Sequence, residues 1–142
     1  MTTEANKELV RRLFDEVVNR HNPDIVEQLI VADAVDHNPG PSDAPGRQGL
    51  KEVFMMLHTA FPDLHGTIDD MIAEDDTVVV RWTISGTNTC KCMGLGPTTR
   101  QMTGNGMDIL RIVDGKITDR WGNSDDMGML VQLGIVPSIG GD

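Results

Sequence analysis

Apolar residues recur at two spacings along this chain, and the change of spacing divides it. Near the start, Leu9, Val10, Leu13, Phe14, Val17 and Val18 fall three or four apart. That period predicts an amphipathic helix capped by Thr2 or Thr3, with Arg11, Arg12, Asp15 and Glu16 on its wet side. Asn22-Pro23 restarts a short helix, Asn22 as cap and Pro23 at the first helical position. Its buried face is Ile25, Val26, Leu29 and Ile30, and its end falls near Val31. A third helix is predicted from about Gln48 to Ala60, with Leu50, Val53, Phe54, Leu57 and Ala60 aligned, stopped by Phe61-Pro62-Asp63. Between the second and third helices, residues 34–48 carry three prolines and two glycines and predict one long irregular segment. Segments of that length in small domains are often functional.

From residue 64 the period shortens to two. Leu64 to Ala73 predicts a strand with Ile68 and Ile72 on one side and His65, Thr67, Asp69 and Met71 on the other. Thr77 to Thr87, with Val78-Val79-Val80 and Trp82, predicts a stronger one. A loop over 90–99 follows, then two apolar arms, 107–113 and 117–121, around Asp114-Gly115, one of the strongest hairpin signals. A last helix is expected from about Asp125 to Leu133, then a Pro/Gly tail. Helices first, strands next and one terminal helix mean a single α+β domain over 1–142, its N-terminal helices packed on a curved, mainly antiparallel sheet.

Inside the apolar arms of the hairpin lie Asp108, Asp119 and Arg120. A two-residue turn at Asp114-Gly115 pairs Asp108 with Trp121; a bulge at Gly115 pairs it with Arg120. The bulged register gathers Asp108, Leu110, Ile112, Thr118, Arg120 and Gly122 on one face. The other face then holds Met107, Ile109, Arg111, Val113, Ile117, Asp119 and Trp121. A slip of one residue exchanges faces, and the residues alone leave both registers open.

Composition narrows the function. The net charge is −10, with 22 acidic against 12 basic residues, which excludes nucleic acid and anionic membranes as expected partners. No apolar run is long enough to span a membrane, and the polar N-terminus lacks a signal-peptide core, so a cytoplasmic protein is expected. Cys90 and Cys92 stand too close for a disulfide and too few for a metal site; reduced thiols and no metal are expected. Tyrosine is absent and methionine numbers nine, so part of the apolar bulk is Met, a residue that fills cores and adapts to irregular ligands.

Several stretches, in this order, resemble the SnoaL-like polyketide cyclase family of the nuclear transport factor two-like superfamily. They are DHNPG at 36–40, the Gly-x-x-Gly-Leu-Lys entry to the third helix at 46–51, FPDL at 61–64 and RWTISGT at 81–87. MGLGPTTR at 93–100 and the run from Met107 to Gly134 complete the set. The resemblance covers nearly the whole chain. It implies a cone-shaped α+β barrel enclosing an apolar pocket, and acid/base chemistry next to a carbonyl, such as the aldol closure of a polyketide ring, without a cofactor. Other members resemble cofactor-independent hydroxylases. The family's acid/base aspartate, aligned through DGKI, falls on Gly122, and its neighbouring histidine on Asp108. The same alignment favours the bulged register.

On these grounds the expected catalytic residues are Asp108 as acid/base, Arg120 as charge partner of a developing oxyanion, and His37 as an auxiliary proton shuttle. Asp108 and Arg120 also read as a structural cross-strand pair, and His37 as a residue fixing its loop. Trp82, Phe54, His58, Asn38 and Asp125 are the candidate substrate contacts, on a small apolar, possibly polycyclic molecule. Asp125 equally reads as the cap of the last helix. Two rival functions stand beside cyclisation. One is water activation by an epoxide-hydrolase-like Asp–Arg–Asp set of Asp108, Arg120 and a carboxylate such as Asp125. The other is hydrophobic-ligand binding without turnover, which Gly122 favours. Met107, Ile109, Val113 and Trp121 would form an outer apolar stripe, so a homodimer through the sheet is expected.

Overall fold

A computed structural model describes residues 2–89 and 98–137. Cys90, Cys92, most of the 90–99 loop and the end of the C-terminal tail lie outside these residues. Helix α1 spans Thr3–Arg12, capped by the Thr2 hydroxyl, which accepts from the Ala5 N–H. It runs on as a π-helical stretch, Leu13–Asn19, and a 3₁₀ turn at Pro23–Ile25 leads into α2, Val26–Leu29. Helix α3 is Gly46–Ala60 and α4 is Asp126–Gln132.

The strands are β1 (Ile30–Asp36), β2 (His65–Glu74), β3 (Thr77–Thr87), β4 (Gln101–Val113) and β5 (Lys116–Ser124). They form one mixed sheet in the order β1-β5-β4-β3-β2. β1 runs parallel to β5 and the other pairs are antiparallel. The sheet is open, with β1 and β2 at its edges, so the expected barrel is not closed. The apolar face of α1 and the π-helical stretch packs on the inner sheet face. There Val10, Val17, Val78, Val80 and Ile117 are at most 1% exposed. A second cluster, including Phe61, Leu64, Ile84 and Leu133, fills the end near α4.

Strand β1 departs from the expectation. Its residues belong to the predicted end of the second helix and the start of the irregular segment. The alternation there is weak, because Ala32, Asp33, Ala34 and Asp36 are poor strand formers. Pairing with β5 makes the strand, through Ile30↔Ile117, Val35↔Asp119 and Asp36↔Arg120. The irregular segment is therefore confined to the residues between β1 and α3.

The hairpin adopts neither expected register. Asp114 and Gly115 both have positive φ, 51° and 79°, a two-residue primed turn between Val113 and Lys116. The bulge lies further along β5: Ile112 pairs with Ile117 but Arg111 pairs with Asp119, which leaves Thr118 as the extra residue. Beyond it Asp108 faces Gly122 and Leu110 faces Arg120. The face is therefore the one expected for Asp108, Leu110, Arg120 and Gly122. Ile117 is reversed: it lies on the turn side of the bulge and is buried. A similar slip between Ile68 and Asp70 in β2 brings Met71 opposite Val80 and leaves Ile72 63% exposed, against the expected grouping of Ile72 with Ile68.

The turn yields a direct test. Gly115→Ala places a side chain at φ 79°, which should cost roughly 1–2 kcal/mol. A urea titration would register it as a lower midpoint with unchanged slope.

Candidate active site

Three charged side chains from three neighbouring strands meet on the inner face. Arg120 on β5 reaches Asp108 on β4 through Nε to Oδ2 at 3.1 Å and Nη2 to Oδ1 at 3.3 Å. It reaches Asp36, the last residue of β1, through Nη1 to Oδ1 at 3.0 Å and Oδ2 at 3.1 Å. Nη1 also donates to the Asn38 carbonyl at 3.2 Å. The side chains are 25% exposed for Arg120, 15% for Asp108 and 13% for Asp36, so these contacts are shielded but still open to a ligand. Burial works against the Arg120 charge. The charges of Asp108 and Asp36, with their hydrogen bonds, outweigh it and hold the guanidinium above its usual pKa.

The arrangement has a definite valence. A guanidinium carries five N–H groups. Asp108 takes two, and Asp36 and the Asn38 carbonyl share the two on Nη1. One N–H on Nη2 remains without an acceptor among the described residues. The set as a whole carries an excess of one negative charge. It can offer a carboxylate base and a single hydrogen-bond donor side by side.

Two local features hold it. Asn38 accepts from the Gly122 N–H through Oδ1 at 3.0 Å and donates its own N–H to Asp36 Oδ1 at 3.1 Å, so the residues after β1 fold back on β5. A side chain at Gly122 would have to displace the ion pair: a Cβ there would run into Arg120 Nη2, Asp108 Oδ1 and the guanidinium carbon. The ion pair fills the space that a pendant aspartate at this position would need. That is a physical reason for the glycine.

The other expected residues divide. Trp82 pairs with Gly106, two residues before Asp108 on the same face, and its indole lies where a Gly106 side chain would be. Phe54 is half-buried against both core clusters, as is Trp82. Asn38 belongs to the site as described. His37 does not join Asp108 and Arg120. It follows Asp36 directly and turns to the outer face, where Nε2 lies 3.0 Å from Asp119 Oδ2 and the ring stacks on Trp121. His58 is occupied elsewhere, stacked on His21 at 3.9 Å with Nε2 on the Val18 carbonyl. Asp125 caps α4, accepting from the Gly128 N–H at 2.9 Å. The second carboxylate on Arg120 is therefore Asp36, not Asp125. Sequence reasoning misses Asp36 because it treats the residue as irregular chain; its place in DHN before Pro39 is the available signal. It also lines a cleft of about 650 Å³ between β1, residues 39–46 and α3, with Ala34, Val35, Leu50 and Val53.

An open mixed sheet wrapped by N-terminal helices, with ionisable groups on its inner face, defines a small-molecule-site α+β domain of the nuclear transport factor two-like kind. The family model of the SnoaL-like polyketide cyclases matches residues 8–133, and the chain belongs to that family. Among solved structures, TsrD of Streptomyces laurentii superposes with a TM-score of 0.87 at 24% identity, over 96% of this chain and 99% of that one, a likeness of fold. IdmH of Streptomyces antibioticus, a candidate polyketide cyclase, gives 0.79 at 31% identity over 91% and 98%. AclR of Streptomyces galilaeus, a candidate hydroxylase, gives 0.83 at 25% identity over 97% and 90%. No curated protein matches the chain.

The packing and the charges each generate an expected outcome. Gly122→Ala should separate Asp108 from Arg120 and destabilise the fold by about 1–3 kcal/mol through overpacking, measurable as a lower melting temperature. Acid should act in two stages. Burial, and His21 behind it, hold His58 below the ordinary imidazole value. The unfolded chain then takes up that proton first, and stability falls as pH drops below about 6.5. Hydrogen bonds from Thr87 hold Asp63 below the usual carboxylate range, and one from His37 does the same for Asp119. Their contribution is present above about pH 4 and is lost as pH falls through the lowered values. Urea midpoints across this range should show both stages, and His58→Gln should abolish the first.

Proposed function

We propose that the chain is a cofactor-independent enzyme that moves a proton next to a carbonyl, leading to ring closure or isomerisation of a small apolar, possibly polycyclic molecule. The observation that carries this reading is a carboxylate and an unspent N–H donor on one shielded guanidinium, Asp108 and Arg120, beside Trp82. Asp108 removes the proton from the carbon next to a carbonyl, and the free Nη2 N–H donates to the oxygen as negative charge develops there. The enolate carbon then attacks a second carbonyl carbon of the same molecule. A carbon–carbon bond forms, the carbonyl π bond opens, and the new alkoxide takes the proton back from Asp108. The product is an isomer of the substrate. Trp82 offers a flat apolar wall for a ring, and Phe54 extends it. Family membership supports the reaction class.

A second reading is favoured by Asp36. Two carboxylates on one arginine can also activate water against a strained ether: Asp108 takes the proton from water as its oxygen attacks a ring carbon, the carbon–oxygen bond breaks, and the departing oxygen, met by the free Nη2 N–H, takes that proton from Asp108 while Asp36 keeps the guanidinium in place. The product would then be heavier by one water.

We further propose that the chain works in the cytoplasm as a homodimer, with neither nucleic acid nor membrane as partner. Among the described residues no helix is long and apolar enough to cross a membrane. Support for the dimer comes from the outer sheet face, where Val35, Met107, Ile109 and Val113 are 42–59% exposed around Trp121.

Carbonyl compounds incubated with the protein in heavy water should gain deuterium at the carbon next to the carbonyl. Asp108→Asn should cut that rate by ~10²–10⁴-fold while leaving ligand affinity intact; an unchanged rate would sink the assignment. Sedimentation at micromolar concentration should give twice the chain mass, and Ile109→Asp should return it to one.

A further inference from the structure

His37 grips the residues around Arg120 from the far side of the sheet. Its N–H donates to the Arg120 carbonyl at 2.8 Å, its Nε2 meets Asp119 Oδ2 at 3.0 Å, and its ring stacks on Trp121 at 4.3 Å and 4°. These contacts fall on three consecutive residues, 119, 120 and 121. The central one sends its side chain to the inner face and its neighbours send theirs to the outer face. Asp119 is tied further by the Thr118 hydroxyl at 2.8 Å and by Arg111 at 3.7 Å, and the Arg111 guanidinium lies 5.3 Å from the Trp121 ring centre.

This is also where the sheet is least regular. Thr118 is the extra residue of the β5 bulge, and β1 pairs with β5 through only three registered positions with a slip between Ile30 and Val35. The Asp36↔Arg120 pair is the last of them, one residue before the irregular segment. On the β4 side the ladder is regular from Gly106↔Ser124 to Arg111↔Asp119 and includes Leu110↔Arg120, whereas on the β1 side it ends at Arg120. On that β1 side the outer contacts of the His37 side chain add to the ladder where it ends, as the inner contacts of Asp36 and Asn38 do from below.

We propose that His37 is a positioning residue: through Asp119 and Trp121 it fixes the stretch of β5 that aims Arg120 at Asp108 and Asp36. The proposal deepens the catalytic reading above and rests on it for its functional meaning, but its geometry is independent of any turnover. His37 does not touch the reacting atoms, because the sheet stands between its ring and Asp108.

The test is the side-chain Nε–H resonance of Arg120 in ¹⁵N nuclear magnetic resonance, assigned by its disappearance in Arg120→Lys. His37→Ala should shift that resonance and speed its hydrogen exchange on the order of fivefold to tenfold, the equivalent of one hydrogen bond. Asp119→Asn should act in the same direction. His37→Gln, which can still donate to Asp119, should recover most of the protection. Backbone amides of β3 should exchange at the wild-type rate throughout. An Arg120 signal indifferent to all three substitutions would overturn the proposal. So would exchange that rises equally at Arg120 and in β3, since that reports only lost global stability. If His37→Ala does not fold, the Gln and Asn variants carry the same comparison. Full deuterium incorporation by Asp108→Asn would instead remove the catalytic reading and leave this coupling standing.

Discussion

The structure turns on a single guanidinium shared by two carboxylates. Placing Asp108 and Asp36 within reach of each other on a shielded sheet face would be unfavourable without Arg120 between them, and burying Arg120 alone would be equally so. Each charge is tolerable because the others are present. The sheet order suits the same arrangement, since a strand lying between β1 and β4 can carry a residue that reaches both. β5 holds that place, and its parallel pairing with β1 brings in a carboxylate 84 residues away in sequence.

The consequence reaches the backbone. The ion pair lies directly on Gly122, so a side chain at that position would displace the Arg120 guanidinium and the Asp108 carboxylate. A glycine there does not leave the face without an ionisable group. The carboxylates instead arrive from β1 and β4, held by arginine rather than hanging free. The same face provides an aromatic wall, with Trp82 of β3 laid over Gly106 of β4, one step along from Asp108.

Much of this architecture is legible in residue spacing alone. The helical stripes and the Asp114-Gly115 turn follow from it, because amphipathic period and turn chemistry are local properties, whereas the grouping of Asp108 with Arg120 needs the family resemblance to choose between two registers. Strand β1 is not legible in that way. Ala32, Asp33, Ala34 and Asp36 have little strand preference, and only a partner distant in sequence makes them one. Asp36 is hidden with it. The bulge at Thr118 is equally hidden, since no glycine marks it. Yet that bulge reconciles a tight turn with the face expected from a looser one. His37 shows the limit of motif reading: its motif suggests a common site with Asp108 and Arg120, but the residue after inward-facing Asp36 in an extended chain points to the opposite face.

The central claim is that this shielded charge set performs chemistry rather than merely bracing the sheet. Its most direct test is a mass-spectrometric comparison of one pool of small apolar carbonyl metabolites after incubation with wild type and with Asp108→Asn. The account predicts that wild type converts a member of the pool to an isomer of equal mass and altered retention, and that Asp108→Asn binds the same compound and returns it unchanged. Recovery of the same compound unaltered from both proteins would contradict it and leave a ligand-binding protein.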